Sequence, residues 1–137
     1  MKLTKKEFWE LLKKEHSKEY YEKCVFDAYV LSVRSLVGSV FKRTNYKKNT
    51  KTYKLLGCDF MELHSHLEKQ FIKGMNWDNK GKWHIDHIVP IAIAKDYNEV
   101  VKLSHYTNLQ PLWAKDNHIK YNKLYPVSNL YHNETYV

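Results

Sequence analysis

Cysteine is scarce in this chain: Cys24 and Cys58 are the only two in 137 residues, and they form no Cys-x-x-Cys pair. That excludes a disulfide framework and a cysteine-built zinc ribbon or finger, and it fits a reducing cytosol. Arginine is as rare, since Arg34 and Arg43 are the only two among 23 basic residues. Bidentate reading of guanine edges favours arginine, so a lysine-built surface suits phosphates more than base edges. Acidic residues fall short as well: 15 Asp and Glu leave a formal net charge of +8. Such an excess points to a polyanionic partner. The rival source is an A/T-rich genome, which favours Lys, Asn, Tyr and Ile codons, although Glu shares that codon bias and has not kept pace. Long apolar runs are missing too. CVFDAYVLSVRSLVGSVF is broken by Asp27 and Arg34, so no membrane span is expected, and MKLTKKEFWELLKK lacks the apolar core of a secretory signal. Neither repeats nor low-complexity tracts occur, and the length suits one domain with a modest core.

Periodicity divides the chain into elements. Thr4 with Glu7 makes a capping box, and Phe8, Leu11 and Leu12 give one apolar face, which predicts a helix over 5–15. Tyr21, Val25, Ala28, Val33, Leu36, Val37 and Val40 recur at helical spacing and predict a longer helix over 18–41. KRTNYKKNTKTYK, residues 42–54, carries six basic residues and no acid. It reads either as a solvated linker or, given Tyr46 and Tyr53, as a phosphate-contacting arm through Lys42, Arg43, Lys47, Lys48, Lys51 and Lys54. Asp59 and Glu62 form a second capping box before the stripe Phe60, Leu63, Leu67 and Phe71. His64 and His66 on that helix are two apart, not the three or four that would place ligands on one face, and read as surface or packing residues. GMNWDNKGK is a loop. A strand ended by Pro90 follows, then a short helix or turn at YNEVVKLSHY, a second extended piece at NLQPLW, and a helix over 114–123 carrying Lys115, Lys120 and Lys123. The tail from Leu124 has Glu134 as its single charge.

The chemistry concentrates in KWHIDHIVPIAIA, residues 82–94, where His84, Asp86 and His87 interrupt an apolar run. A bare carboxylate there costs several kcal/mol unless it is paired or binds a metal. Asp86 offers a hard anionic oxygen and Asn117 a neutral amide oxygen, a pair suited to a cation that keeps its other sites for water and phosphate. His87 has an intrinsic pKa of about 6.5 and can accept a proton from water. Asn117 and Lys120 share a helix face, so the lysine could neutralise the same phosphate. Strand neighbours point to opposite faces, so Asp86 and His87 address one phosphate only if the strand bends or bulges there. The same alternation puts His84 beside Asp86. His105 and His118 flank the motif and read as structural. Trp113 reads as core.

HIDHIVP, TNLQPLWAKDN and the trailing Lys120 resemble the HNH nucleases, whose fold is the ββα-metal module. The match is tight over 83–123, and LLGCDFMELHSHLEKQFIKGMNW is similar to the segment that precedes the motif in small phage members. The resemblance implies an α+β protein: a helical, basic N-terminal region over 1–50, and a nuclease domain over 51–137. It implies Asp86 and Asn117 as metal ligands, His87 as general base, and Asn108 as the residue that braces the loop and so positions that base. His84 would be an extra ligand or phosphate contact. Many relatives carry histidine where Asn117 stands, and two oxygen ligands favour Mg²⁺ or Mn²⁺; no zinc is expected. Many also carry a Cys₄ zinc site that this chain cannot build, for which Trp77, Trp83 and Trp113 would substitute. The implied partner is double-stranded DNA, contacted also by Lys115 and Lys123, with no membrane association. The implied setting is cytoplasmic, in a phage-encoded manner, and a homodimer would allow double-strand cleavage. Two rivals stay open: a non-catalytic basic DNA-binding protein, and a structural zinc protein drawing on His64, His66, His84, His87 and Cys58.

Overall fold

Two compact units meet in sequence between Ser32 and Val33 in the computed structural model, which describes residues 2–120. Residue 50, where the resemblance divides the N-terminal region from the nuclease domain, lies inside the second unit. The reason is the long helix. Its later apolar residues Val33, Val37, Val40 and Phe41 are buried and belong to the second unit.

In the first unit, α1 (Lys5–Glu15) starts at the expected box: Glu7 N–H donates to Thr4 Oγ1 at 3.1 Å, and Thr4 N–H donates to Glu7 Oε2 at 2.7 Å. None of its residues is buried, and Phe8 and Leu11 stay about half exposed. Trp9 meets Tyr21 edge to face, with ring centroids 6.0 Å apart. Helix α2 (Lys18–Thr44) begins in this unit and continues into the next. It runs three residues beyond the expected end, so Lys42 and Arg43 sit in its last turn rather than in an arm. By length and composition alone α2 could cross a bilayer.

The second unit continues with a short α3 (Thr52–Leu56), which takes Lys54 out of the expected linker. Gly57 ends α3 at φ 76°, where a Cβ would come within 2.4 Å of His105 Nε2. Glycine is therefore required there twice over, for its backbone and for its size. Helix α4 (Phe60–Glu68) stops before Phe71, and only the Asp59 half of its capping box forms, through Glu62 N–H at 2.7 Å. Leu63 and Leu67 are fully buried. Past α4, Phe71, Trp77 and Trp83 form a ring cluster with centroids 5.1–5.3 Å apart. Trp83 is fully buried and donates to Asn76 O at 2.8 Å, so the aromatics do brace this region, whereas Trp113 is only half buried.

Strand β1 (Trp83–His87) pairs antiparallel with β2 (Leu109–Trp113), from Trp83 opposite Trp113 to His87 opposite Leu109. The apolar run is thus a strand for five residues only; Pro90 starts a 3₁₀ turn at Ile91–Ile93 instead of ending a long strand. Helix α5 (Tyr97–Leu103) and a 3₁₀ turn (Tyr106–Asn108) connect the strands. Helix α6 (Ala114–Lys120) then packs against both of them, while α4 packs against β2. The architecture is α+β, with helices ahead of a small two-stranded sheet. Lys123 and the remaining tail lie outside the described residues.

Candidate functional site

Strict alternation along β1 sorts its side chains. Trp83, Ile85 and His87 are buried, while His84 is exposed and Asp86 half-buried. The ladder runs without a bulge through Asp86 opposite Gln110 and His87 opposite Leu109. The expected break between Asp86 and His87 is therefore not there. The chain bends one step later, at Ile88 and Val89, which leaves His87 as the last ladder residue, and at this strand end Asp86 and His87 line one cleft although they alternate along the strand.

A cleft of about 430 Å³ lies over this strand end, lined by His84, Asp86, His87, Arg43, Asn117 and Lys120, and by His118 as well. Residues from α2, β1 and α6 are thereby gathered at one place. Asp86 Oδ2 receives two donors, Lys120 Nζ at 2.9 Å and Gln110 Nε2 at 2.8 Å. Among the described residues its Oδ1 has no hydrogen bond. Lys120 is almost completely buried and also donates to the His87 carbonyl oxygen at 2.6 Å. Its ammonium is committed to Asp86 and the strand end, not held out to neutralise a phosphate as the spacing suggested. Asn117 Nδ2 lies 3.5 Å from His84 Nδ1.

His87 lines the cleft although it is only 8% exposed. Burial pushes its pKa down to about 4, and the charges of Arg43 and Lys120 add to the effect. The imidazole is thus neutral throughout the physiological range. Asn108 stands outside the cleft and holds the bend. Its Oδ1 accepts from Val89 N–H at 2.9 Å, its Nδ2 donates to Val89 O at 3.1 Å and Leu103 O at 2.8 Å, and its carbonyl accepts from Ile88 N–H at 2.8 Å. One side chain and its own carbonyl thus tie both connections to the end of β1.

The residues here that could hold a hard divalent cation are oxygen and nitrogen donors of one cleft. Asp86 presents an uncommitted carboxylate oxygen oriented by two bonds on its partner oxygen, and Asn117 and His84 line the same cleft. Among the described residues, no group of three or more His, Cys, Asp or Glu side chains is placed to hold a metal ion. Of the residues a zinc site would draw on, His84 and His87 line this cleft, and His64, His66 and Cys58 do not. His64 stacks on Trp77 at 3.9 Å, His66 Nε2 lies 3.1 Å from Leu109 O, and burial, with Glu62 and Asp59 nearby, pushes the Cys58 thiol up to about 11.

No family model matches the chain, and no solved structure matches it. The relatives are viral. Two proteins of Acanthamoeba polyphaga mimivirus, uncharacterized proteins L426 and L246, are 33% identical over 97 residues and 32% identical over 87. Those segments cover 69% and 61% of this chain but 42% and 38% of the relatives. The chain thus spans about two fifths of the length of these relatives.

The basic residues singled out in the sequence do not gather at one place. Arg43 reaches the cleft, whereas Lys48 and Lys51 line a different one. Lys42, Lys47, Lys54 and Lys115 are exposed and line neither. Two contributors escaped the sequence reading. Gln110 alternates as an ordinary strand residue, and nothing local marks it as facing Asp86. Arg43 was assigned to an arm, and only its place on the last turn of α2 brings it to the cleft.

Proposed function

We propose that the protein is a metal-dependent nuclease that hydrolyses phosphodiester bonds of DNA, with the cleft over the end of β1 as its active site. The observation that carries this reading is the gathering of Asp86, His87, Asn117 and Arg43, from three elements, around one opening in a chain of net charge +8. The β1–β2–α6 order and the sequence resemblance to HNH nucleases support it further.

In this reading Asp86 and Asn117 would hold Mg²⁺ or Mn²⁺, with His84 lining the same cleft. When bound, the cation supplies polarisation of the scissile phosphate and stabilisation of the leaving oxygen. Lys120 and Gln110 fix one Asp86 oxygen and so aim the other. The Lys120 charge beside Asp86 would also weaken cation affinity there. Neutral His87 takes a proton from the attacking water. A base of such low proton affinity is weak in the free protein. A phosphate arriving beside Arg43 offsets the cationic field and raises that affinity when substrate is bound. Asn108 acts as a positioning residue, because it holds the bend that follows the base.

One base and one metal centre per chain predict nicking of one strand per encounter, and a double-strand break needs a second copy or a second event. The test is incubation with supercoiled plasmid with and without Mg²⁺. Mg²⁺-dependent conversion to the nicked circle supports the nuclease. Binding without nicking, with or without Mg²⁺, would support the non-catalytic alternative.

A further inference from the structure

A second cleft of about 530 Å³ lies in the same unit, lined by Arg34, Gly38, Lys48, Lys51, Tyr53 and Phe60 among others, and it shares no lining residue with the first. We propose that it holds one nucleoside phosphate of a single-stranded nucleic acid, away from the phosphate that meets Asp86. The inference rests on the nucleic-acid part of the reading above and not on catalysis.

Its lining has three cations and no acid, and none of the three is ion-paired among the described residues. The Arg34 guanidinium stands 5.4 Å over the Phe60 ring, which fixes one charge on the wall. Tyr53 lines the cleft and keeps 45% of its surface exposed, and aromatic rings in such clefts are surfaces on which bases stack. The volume falls within the roughly 300–1,000 Å³ of small-molecule sites. Gly38 is the most telling residue. It lies inside α2, where glycine weakens a helix, yet its backbone is ordinary and a Cβ would meet nothing within 4 Å. Packing does not require glycine there, but a side chain would fill the cleft.

At about 100° per residue, Leu36 and Arg43 of the first cleft stand roughly 140–180° around α2 from Arg34 and Gly38. The two clefts therefore use opposite sides of that helix. A duplex hides its bases within the stack, whereas a cleft with phosphate-binding charge and an exposed ring rewards an unpaired nucleotide.

The test is fluorescence anisotropy of a labelled single-stranded oligothymidylate and of a duplex, measured in EDTA with the full chain. Gly38→Leu and Tyr53→Ala should each weaken single-strand binding about tenfold, with duplex binding unchanged and Gly38→Leu melting no lower than the parent. A folded Gly38→Leu protein that binds the single strand like the parent would overturn the inference, as would equal weakening for strand and duplex. Thymidine monophosphate distinguishes the source. If it binds as tightly as the strand, with the same Gly38→Leu sensitivity, the cleft takes free nucleotides, the same chemistry in another form. Because binding in EDTA involves no cutting, an inactive nuclease would leave these results untouched.

Discussion

Lys120 Nζ lies 2.9 Å from Asp86 Oδ2 and donates to the His87 carbonyl oxygen at 2.6 Å, so one buried ammonium joins the end of α6 to the end of β1. The Lys120 side chain is 1% exposed and that of Asp86 11%. Removing one partner of such a pair leaves a poorly solvated charge behind. Lys120→Ala is expected to cost roughly 3 kcal/mol in urea unfolding, and Lys120→Met less, because it keeps the packing. A loss near the ~0.5 kcal/mol of an exposed pair would show that the contact is not a buried one.

Asn108 offers a sharper test of positioning. Asn108→Asp keeps the acceptor for Val89 N–H but turns the donor into an anion facing the Val89 and Leu103 carbonyls. It should therefore destabilise more than Asn108→Ala, which is expected to cost about 2 kcal/mol for the lost bonds. Thermal melts of both variants check the order. Among variants still folded at the assay temperature, kcat for nicking should fall with KM little changed.

Stability should depend on His87. Folded His87 titrates near 4 and a free imidazole near 6.5, so the unfolded chain binds more protons between those values. The stabilisation is complete above about pH 6.5 and is lost as pH falls towards 4, up to roughly 3 kcal/mol in all. Denaturation at pH 7 and pH 4.5 should show this decline in the parent and a shallower one in His87→Gln. Equal slopes would mean that His87 is not held neutral by its surroundings.

Where the sequence was legible, one local rule decided the outcome. Thr4 and Glu7 fix the start of α1 within one turn, and Leu63 and Leu67 fix the buried side of α4. The candidate site was legible in part: the helix period puts Asn117 and Lys120 on one face, whereas the strand period separates Asp86 from His87, and only the resemblance implied that all four meet. Long-range partners were not legible. Gln110 meets Asp86 only through the register of β1 on β2, and Lys120 turns inward because Asp86 and the His87 carbonyl are there to receive it. Composition also misplaced the basic segment over 42–54. A run of lysines says nothing about where α2 stops, and Phe41 packing carries the helix on to Thr44.

The most direct measurement compares single-turnover plasmid nicking by the parent and by His87→Ala in saturating Mg²⁺, with plasmid binding measured alongside. Loss of the base should slow nicking by about 10²–10⁴-fold while binding stays at the parent's level. Nicking by His87→Ala at the parent's rate would contradict His87 as the group that activates water.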